Sequence, residues 1–477
     1  MWHTLLHTVI DDQKEARMAP LHSLRRTPQV GSRAAGTPSI GARRTGTHPG
    51  LSRRALLSLG ALAPLAAASC SGPLGSAASE VSVWDLFSGA DGENMRGMIA
   101  EVQESIDGLT VRPTTLSWGN PYYTKLAMAS SSQAPPDTAI MHVSRMPGYA
   151  PGGLLTPYNP ALLAEVGIRQ EDFTPALWES CTYDGELFAL PLDTHPFIAF
   201  FDQAIAEEAG VLASDGTVEI GSPEQMQEVG AKLAEVTGAQ GIAFGYLLDT
   251  AQAWRLFWGL FHQTGGEAQI EVGKKAALDI DAAASVISAV NSWMDGTVMP
   301  DNLDYGGALA SFGSGRTGMI LSGEWELGGF REAVENLDAM PMPTMFGTPA
   351  NYADAHTYVL PAQRGTSPEH TRYVYEFLAA MLQQGGQWGT AGHIPAYLPA
   401  QDTAEYRDLL PQNHYAAAAE TVVFDPPVWF TGAGTDFQNR MSQQLIEGFR
   451  GTIEPARCAE ALVDVLDGFL SSPDPTA

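Results

Sequence analysis

Residues 80–143 alternate between short apolar runs and stretches with helical periodicity. The apolar runs are typical of strands, and the stretches between them carry apolar residues three and four positions apart. In chain order the segments are EVSVWDLFSG, ENMRGMIAEVQESI, LTVRPTTL, PYYTKLAMASSSQ and PPDTAIMHV. Such strand–helix alternation favours a largely parallel sheet with covering helices. The sequence therefore predicts an α/β fold.

An extended apolar segment, FALPLDTHPFIAFF, interrupts this alternation further along the chain. Pro191 and Pro196 keep it out of a helix. More strands and helices follow, and the chain after residue 70 is long enough for two domains with their own cores. We therefore expect the extended segment to cross from one domain to the other as a hinge.

Ligands of open parallel sheets bind outside the carboxyl ends of the strands. The segments after the first three predicted strands contain Phe87 and Ser88, then Trp118, then His142, Ser144 and Arg145. The first of these turns, FSGADGEN, lacks the glycine spacing of a dinucleotide-binding loop. These side chains are thus candidates for contact with a ligand other than a nucleotide.

Residues 1–70 have the three parts of an export signal. Arg53 and Arg54 resemble a twin-arginine motif, and the apolar run that follows is too short to span a bilayer. Small residues then lead to Cys70 in a lipobox-like sequence. We expect export, a lipid on Cys70, a flexible tether at 71–79, and anchoring to the outer face of the cytoplasmic membrane.

Charge and cysteine usage exclude several classes of partner. The formal net charge is −28, and a surface this acidic repels nucleic-acid backbones. Cys181 and Cys458 are expected to be free buried thiols. No cysteine–histidine cluster has the spacing of metal ligands, so the sequence predicts neither a metal nor a cofactor.

Six sequence blocks, in order along the chain, carry a family resemblance. They are VSVWDLF, PPDTAIMH with GGLLTPY, YDGELFALPLD, FGSGRTGMILSGEW, PMPT and GHIPAYLPA. In these blocks the chain resembles the extracellular solute-binding proteins of bacterial ABC transporters, specifically the carbohydrate-binding group that includes maltose-binding protein. The resemblance implies a two-lobed periplasmic-binding-protein fold, in which each lobe is a central sheet flanked by helices and hinge crossings join the lobes. Lobe 1 would comprise 80–192 with 353–405, and lobe 2 would comprise 197–348 with 410–477.

The same resemblance implies a sugar site in the cleft between the lobes. Aromatic rings stack on the C–H faces of sugars, and polar side chains bond to the hydroxyls. The candidate ligand-binding residues are Phe87, Ser88, Trp118, His142, Ser144, Arg145, Asp193, His195, Trp254, Arg255, Trp258, Glu324, Trp325, His356 and Trp429.

The predicted function is that of the substrate-binding lipoprotein of an ABC-type carbohydrate importer. As a monomer it would capture a sugar or oligosaccharide and deliver it, unchanged, to the membrane permease subunits. Two alternatives remain open. A secreted glycoside hydrolase would need a pair of carboxylates with separate roles, which no motif singles out. The same fold could also bind a polyamine or another non-sugar solute.

Overall fold

The computed structural model describes residues 78–248 and 251–476. The predicted export signal, the Cys70 lipidation site and most of the tether lie outside the described residues. None of the helices within the described residues is long and apolar enough to cross a membrane.

Short strands alternate with helices along the described chain. The strands are β1 (Glu80–Asp85), β2 (Thr110–Thr115), β3 (Thr138–His142), β4 (Leu155–Thr156), β5 (Thr182–Tyr183), β6 (Glu186–Leu187), β7 (Ala189–Pro191), β8 (Asp193–Asp202), β9 (Ile242–Ala243), β10 (Ala268–Gln269), β11 (Ala277–Leu278), β12 (Met319–Gly323), β13 (Leu337–Pro341), β14 (Asn351–Asp354), β15 (His356–Pro361), β16 (Ile394–Pro395) and β17 (Val422–Val423).

The helices vary from four to seventeen residues in length. They are α1 (Gly89–Ser105), α2 (Asn120–Ser131), α3 (Pro160–Glu165), α4 (Pro175–Ser180), α5 (Gln203–Glu208), α6 (Pro223–Thr237), α7 (Gln252–Gln263), α8 (Ile280–Trp293), α9 (Tyr305–Gly313), α10 (Leu327–Ala333), α11 (Pro368–Gln383), α12 (Gly385–Gly389), α13 (Leu398–Gln401), α14 (Ala404–Arg407), α15 (Gln412–Tyr415), α16 (Asp436–Phe449) and α17 (Pro455–Leu470). Short 3₁₀ turns cover Val143–Gly148, Gln170–Asp172, Glu324–Glu326 and Ala416–Glu420.

The first lobe is built on a sheet with the order β2-β1-β3-β15-β4, to which β7 adds beside β15. β1 pairs in parallel with both β2 and β3, as the strand–helix alternation predicts. β15 runs antiparallel to β3 and to β7. The helices α1 and α11 pack over this sheet around one apolar core.

The second lobe is built on a sheet with the order β17-β14-β8-β12-β9, and β13 and β16 also pair with β8. β8 is ten residues long and runs antiparallel to β12, β13, β14 and β16. The helices α7, α8, α16 and α17 enclose a separate apolar core. The two large sheets, each packed against its own apolar core, confirm the predicted two-lobed α/β fold.

In the described part of the chain, three passages between the lobes can be traced, and β16 also reaches across to pair with β8 between the second and the third. β7 belongs to the first sheet and β8 to the second, so the segment around Leu192 is a crossing, as its extended sequence predicts. Only Ala355 separates β14 of the second sheet from β15 of the first. The third passage lies between α14, which packs on α12, and α15, which packs on β13.

Two segments and the cysteines need a closer description. The apolar segment GIAFGYLL contributes only the two-residue strand β9. The C-terminal segment forms two helices, because Gly451 adopts a positive φ of 67° after α16 and Pro455 then begins α17. Cys181 and Cys458 are buried free thiols in different cores, which confirms that prediction.

A histidine–aspartate pair fastens α11 to the edge of the first sheet. His370 Nδ1 donates to the carbonyl of Ala78, and Nε2 donates to Asp137 Oδ1 at 2.7 Å. The bond to Asp137 raises the pKa of His370. Burial would raise the pKa of Asp137, but bonds from His370 and Ser82 outweigh it and lower that pKa.

We expect the stability supplied by this pair to be greatest between about pH 4 and pH 6.5. The histidine part is complete below the unfolded pKa and is lost as the pH rises through the raised folded pKa. The aspartate part is lost as the pH falls. The difference in melting temperature between wild type and His370→Gln should therefore shrink above about pH 6.5.

His262→Gln is the matched control for the His370→Gln profile. Burial lowers the pKa of His262, so its contribution grows as the pH rises towards about 6.5 and stays constant above that pH, where the His370 contribution shrinks. If the two variants show the same pH trend, the His370–Asp137 account is wrong.

Candidate functional site

A cavity of about 360 Å³ opens between the two lobes. Its wall contains aromatic rings, carboxylates, an arginine and three histidines. The lining residues are Leu86, Phe87, Ser88, Asp91, Trp118, His142, His195, Ala251, Gln252, Arg255, Tyr305, Trp325, Glu326 and His356.

The first lobe contributes residues at the carboxyl ends of its parallel strands. Phe87 and Ser88 follow β1, Trp118 follows β2, and His142 ends β3. These are the positions at which open parallel sheets bind ligands. Trp118 is 44% exposed, so a large apolar surface is available at the cavity wall.

The second lobe contributes α7, the start of α9 and the 3₁₀ turn after β12. Trp325 Nε1 donates to Tyr305 Oη at 2.9 Å, and the Tyr305 hydroxyl in turn donates to Glu326. The guanidinium of Arg255 lies 4.9 Å from the centroid of the Trp325 ring, a cation–π contact. Together these contacts hold the indole, a carboxylate and a cation at one wall.

Gly323 allows the Trp325 indole to take this position. A Cβ on Gly323 would lie 2.0 Å from the indole ring, so any side chain there must displace it. We expect Gly323→Ala to weaken ligand binding by about tenfold, or about 1.4 kcal/mol, although Gly323 is not among the lining residues. Titration calorimetry measures this change.

Gly329→Ala serves as the control for that substitution, because a Cβ on Gly329 in α10 would meet nothing within 4 Å. Its affinity should match the wild type. Equal affinities for all three proteins would contradict the role assigned to Gly323.

The floor of the cavity is a cluster of histidines around a buried carboxylate. His195 Nδ1 donates to Asp193 Oδ1 at 3.0 Å, and His356 Nδ1 donates to Asp193 Oδ2 at 2.8 Å. The rings of His195 and His356 stack with centroids 4.2 Å apart, and the His142 ring lies 4.6 Å from that of His356. Asp193 also accepts from the Trp388 indole at 2.8 Å.

A second buried group adjoins this floor from the loop before β16. His393 Nδ1 lies 2.8 Å from Glu324 Oε1 and 3.5 Å from Asp193 Oδ2, and its Nε2 lies 3.3 Å from Asp91 Oδ1. The His393, Glu324 and Asp193 side chains are fully buried. Residues from both lobes and from the crossings therefore meet in one polar layer beneath the cavity.

Burial and the charges of neighbouring groups shift the pKa values of the side chains in this layer, and for Asp193 and His393 the two effects oppose each other. Burial, together with the neighbouring His356, lowers the pKa of His195 to about 3. Burial would raise the pKa of Asp193, but the His356 and His393 charges and two histidine bonds hold it well below its usual value. Burial also raises the pKa of Glu324 to about 7. For His393, the Asp91 and Glu324 carboxylates outweigh burial and raise the pKa.

Most of the candidate residues from the sequence lie at this site. Phe87, Ser88, Trp118, His142, His195, Arg255, Trp325 and His356 line the cavity. Asp193 and Glu324 lie directly beneath it.

The structure does not bring the other five candidates to the cavity wall. Ser144, Trp258 and Trp429 line a larger cavity of about 1180 Å³. The Arg145 guanidinium stacks on the Tyr123 ring, 4.3 Å from its centroid. Trp254 is fully buried in the core of the second lobe and donates to Asp425.

Sequence reasoning missed Asp91, Gln252, Tyr305 and Glu326, and it left His393 undecided between a helix cap and a ligand contact. Asp91 could have been found from its place in the first turn of α1, the helix that follows β1, and Glu326 from its place beside Trp325. Tyr305, Gln252 and His393 had no local signal, because only the pairing of elements distant in the sequence brings them here.

The fold and the cavity define a two-lobed ligand-binding protein. Residues 88–388 match the family of bacterial extracellular solute-binding proteins, and since this is more than half of the chain, the protein belongs to that family.

Solved structures agree with the fold. The GacH receptor of Streptomyces glaucescens, solved unliganded and with acarbose, has a TM-score of 0.69 at 17% identity over 82% of this chain and 98% of that chain. The cyclic α-maltosyl-1,6-maltose binding protein of Arthrobacter globiformis has a TM-score of 0.65 at 18% identity over 82% and 98%. The sugar-binding protein MalE of Xanthomonas citri has a TM-score of 0.66 at 16% identity over 82% and 97%.

Proposed function

We propose that this solute-binding protein captures a sugar or oligosaccharide in the cavity between its lobes and delivers it to the permease of an ABC-type importer. The observation that carries the proposal is the composition of the wall. The aromatic side chains of Phe87, Trp118, Tyr305 and Trp325 surround the same space as the carboxylates of Asp91 and Glu326. Aromatic rings stack on the C–H faces of a sugar ring, and carboxylates accept hydrogen bonds from its hydroxyl groups.

Capture uses contacts from both lobes. A ligand that touches Trp118 of the first lobe and Trp325 of the second gains contacts only when the lobes are close together. Such differential contact favours the closed form over the open form. Closure around the crossings then requires no chemical change in the ligand.

The named neighbours support a carbohydrate ligand. They are the GacH receptor, which was solved with acarbose, the cyclic α-maltosyl-1,6-maltose binding protein and the sugar-binding protein MalE. The cavity lining of this chain has the aromatic and carboxylate groups that such ligands need. We therefore propose an α-linked glucose oligosaccharide or its analogue as the first class to test.

The proposal includes where the protein works. The sequence of residues 1–70 supports export and lipid attachment at Cys70, so the protein would act as a monomer on the outer face of the cytoplasmic membrane. The lobes would comprise 80–192 with 353–405 and 197–348 with 410–477. Of the candidate contacts, the eight that line the cavity would touch the sugar, while Asp193 and Glu324 would position them.

The alternatives make different predictions for the same cavity. A glycoside hydrolase would use the carboxylates Asp91 and Glu326 as a catalytic pair. A polyamine site would have to accept a cation beside the Arg255 guanidinium, which like-charge repulsion disfavours. The sugar-binding proposal requires affinity without turnover.

Titration calorimetry of the purified protein against maltose, longer maltodextrins, acarbose and spermidine tests the proposal. Mass analysis of the recovered sugar accompanies each titration. We expect micromolar or tighter binding of at least one sugar, recovered intact, and no binding of spermidine. Cleaved sugar would instead favour the hydrolase, and spermidine binding alone would favour the polyamine alternative.

A further inference from the structure

The polar layer beneath the cavity contains a set of side chains with the ligand chemistry of a metal site. Asp193, His195, His356 and His393 each offer one ligand atom, and these atoms all lie within 4.8 Å of one another. All four residues are more than nine-tenths buried. Sequence spacing could not reveal this set, since the four residues come from three separate segments.

The distances within the set suit a tetrahedral ion. The histidine nitrogens lie 3.0, 2.8 and 3.5 Å from the Asp193 oxygens, all three being Nδ1 atoms. Four ligands at bond lengths of about 2.0–2.1 Å around one ion stand about 3.3–3.4 Å apart. The nitrogen–oxygen distances lie within about 0.6 Å of this spacing, and all four ligand atoms lie within 4.8 Å of one another, so that local side-chain shifts would convert the hydrogen-bonded cluster into a coordination shell.

Outer groups already orient the ligands. The Trp388 indole N–H donates to Asp193 Oδ2 and the backbone N–H of His356 donates to Asp193 Oδ1, both at 2.8 Å. The rings of Trp388 and His393 stack with an interplanar angle of 4°. His393 Nε2 lies 3.3 Å from Asp91 Oδ1, so the Nε2–H group can donate to Asp91 while Nδ1 faces the ion. Metal sites use such outer partners to fix histidine orientation.

Unsatisfied polar atoms at the same place supply an independent observation. Within the described residues, His393 Nδ1 and Glu324 Oε1 lie 2.8 Å apart without the alignment of a hydrogen bond, and the other ring nitrogen and the other carboxylate oxygen also lack one, although both side chains are fully buried. Buried polar groups without partners are costly and uncommon. A cation among them would give His393 Nδ1 a bonding partner and would neutralise nearby carboxylate charge.

We propose that Asp193, His195, His356 and His393 bind one divalent transition-metal ion, with Zn²⁺ the best match to three imidazoles and one carboxylate. Binding replaces the Nδ1 protons that now face Asp193, and each imidazole then carries its proton on Nε2. A histidine that is neutral before binding only moves its proton from Nδ1 to Nε2, whereas a histidine that is doubly protonated releases one proton to solvent.

The ion would link the first two crossings, those at Leu192 and at Ala355, beneath the cavity. Asp193 and His195 lie at the start of β8, and His356 begins β15 directly after the second crossing. An ion there would restrain the segments that must bend when the lobes close. This inference goes beyond sugar capture and stands independently of it.

Metal titration of the full-length protein tests the inference. Chelator-treated protein is titrated with Zn²⁺ in excess Mg²⁺, which occupies the exposed carboxylates. We expect one tight Zn²⁺ per chain, and with Co²⁺ the visible absorption of a tetrahedral nitrogen and oxygen site. Absence of stoichiometric binding to the wild type overturns the inference, while sugar binding by that same protein would leave the proposed function intact.

Two variants locate the ion. His393→Gln should weaken Zn²⁺ binding by more than about 100-fold, since even changes to outer partners cost about 10- to 100-fold. His414→Gln removes a histidine whose Nδ1 also faces an aspartate, Asp338 at 2.6 Å, but which lies outside the cluster. It should bind Zn²⁺ like the wild type. Equal affinity of His393→Gln and wild type contradicts the proposal.

A measurement on the unaltered chain covers the case in which His393→Gln does not fold. Crystals of the wild type soaked in Zn²⁺ should show an anomalous-difference peak about 2.0–2.2 Å from the four ligand atoms. A peak elsewhere, or none, contradicts the assignment.

Discussion

Asp193→Asn lowers the free energy of unfolding by about 3–5 kcal/mol, the cost of removing one partner from a buried ion pair. The cation of this pair is His393, whose pKa is raised and whose Nδ1 lies 3.5 Å from Asp193 Oδ2. The carboxylate accepts bonds from the side chains of His195, His356 and Trp388. An amide of the same size turns one accepting oxygen into a donor that faces these donors. Urea unfolding in chelator-containing buffer measures the change.

Asp354→Asn is the matched control. Asp354 is also buried, but burial raises its pKa to about 7, so the folded protein already tolerates the neutral form of this side chain. Its substitution should cost less than about 1.5 kcal/mol. If Asp193→Asn proves no more costly than Asp354→Asn, the central place given to Asp193 is wrong.

Trp325→Ala weakens binding of the preferred sugar by about 30-fold, or about 2 kcal/mol. The indole lines the cavity, and its loss removes apolar surface that would otherwise be buried against the sugar ring. It also leaves Arg255 without its cation–π partner and the Tyr305 hydroxyl without the indole N–H. Titration calorimetry and thermal melting separate lost affinity from lost stability.

Trp84→Ala controls for the removal of an indole. Trp84 is also partly buried beneath a cation, Lys125 at 5.2 Å, but it is not among the residues that line the sugar cavity. Its affinity for the sugar should equal that of the wild type. Equal losses in the two variants would mean that general destabilisation, and not contact with the ligand, explains the Trp325 result.

Local patterns in the sequence were enough for the first lobe and for part of the site. Apolar periodicity indicated β1, α1, β2, α2 and β3. Because parallel strands end at one edge of a sheet, Phe87, Trp118 and His142 could be placed together from these strands alone. The first crossing between the lobes could also be predicted, because two prolines keep the segment around Leu192 extended.

The prediction of other site residues required knowing which face of a helix or strand meets the cavity. Apolar periodicity does not give that face for a helix that is apolar on all sides. The helix α7 is almost wholly buried, so Trp254 faces the core while Arg255, one position later, reaches the cavity. The histidine cluster was equally out of reach. His195, His356 and His393 are brought together only by the pairing of β8 with β14 and β16 and by the direct step from β14 to β15.

A crystal structure with the tightest-binding oligosaccharide tests the central claim most directly. We predict an intact sugar in the cavity between the lobes, with one ring packed against Trp325 and further contacts from the first lobe at Trp118. A sugar bound to one lobe alone, a cleaved sugar, or a cavity that stays empty while the sugar binds elsewhere would contradict it.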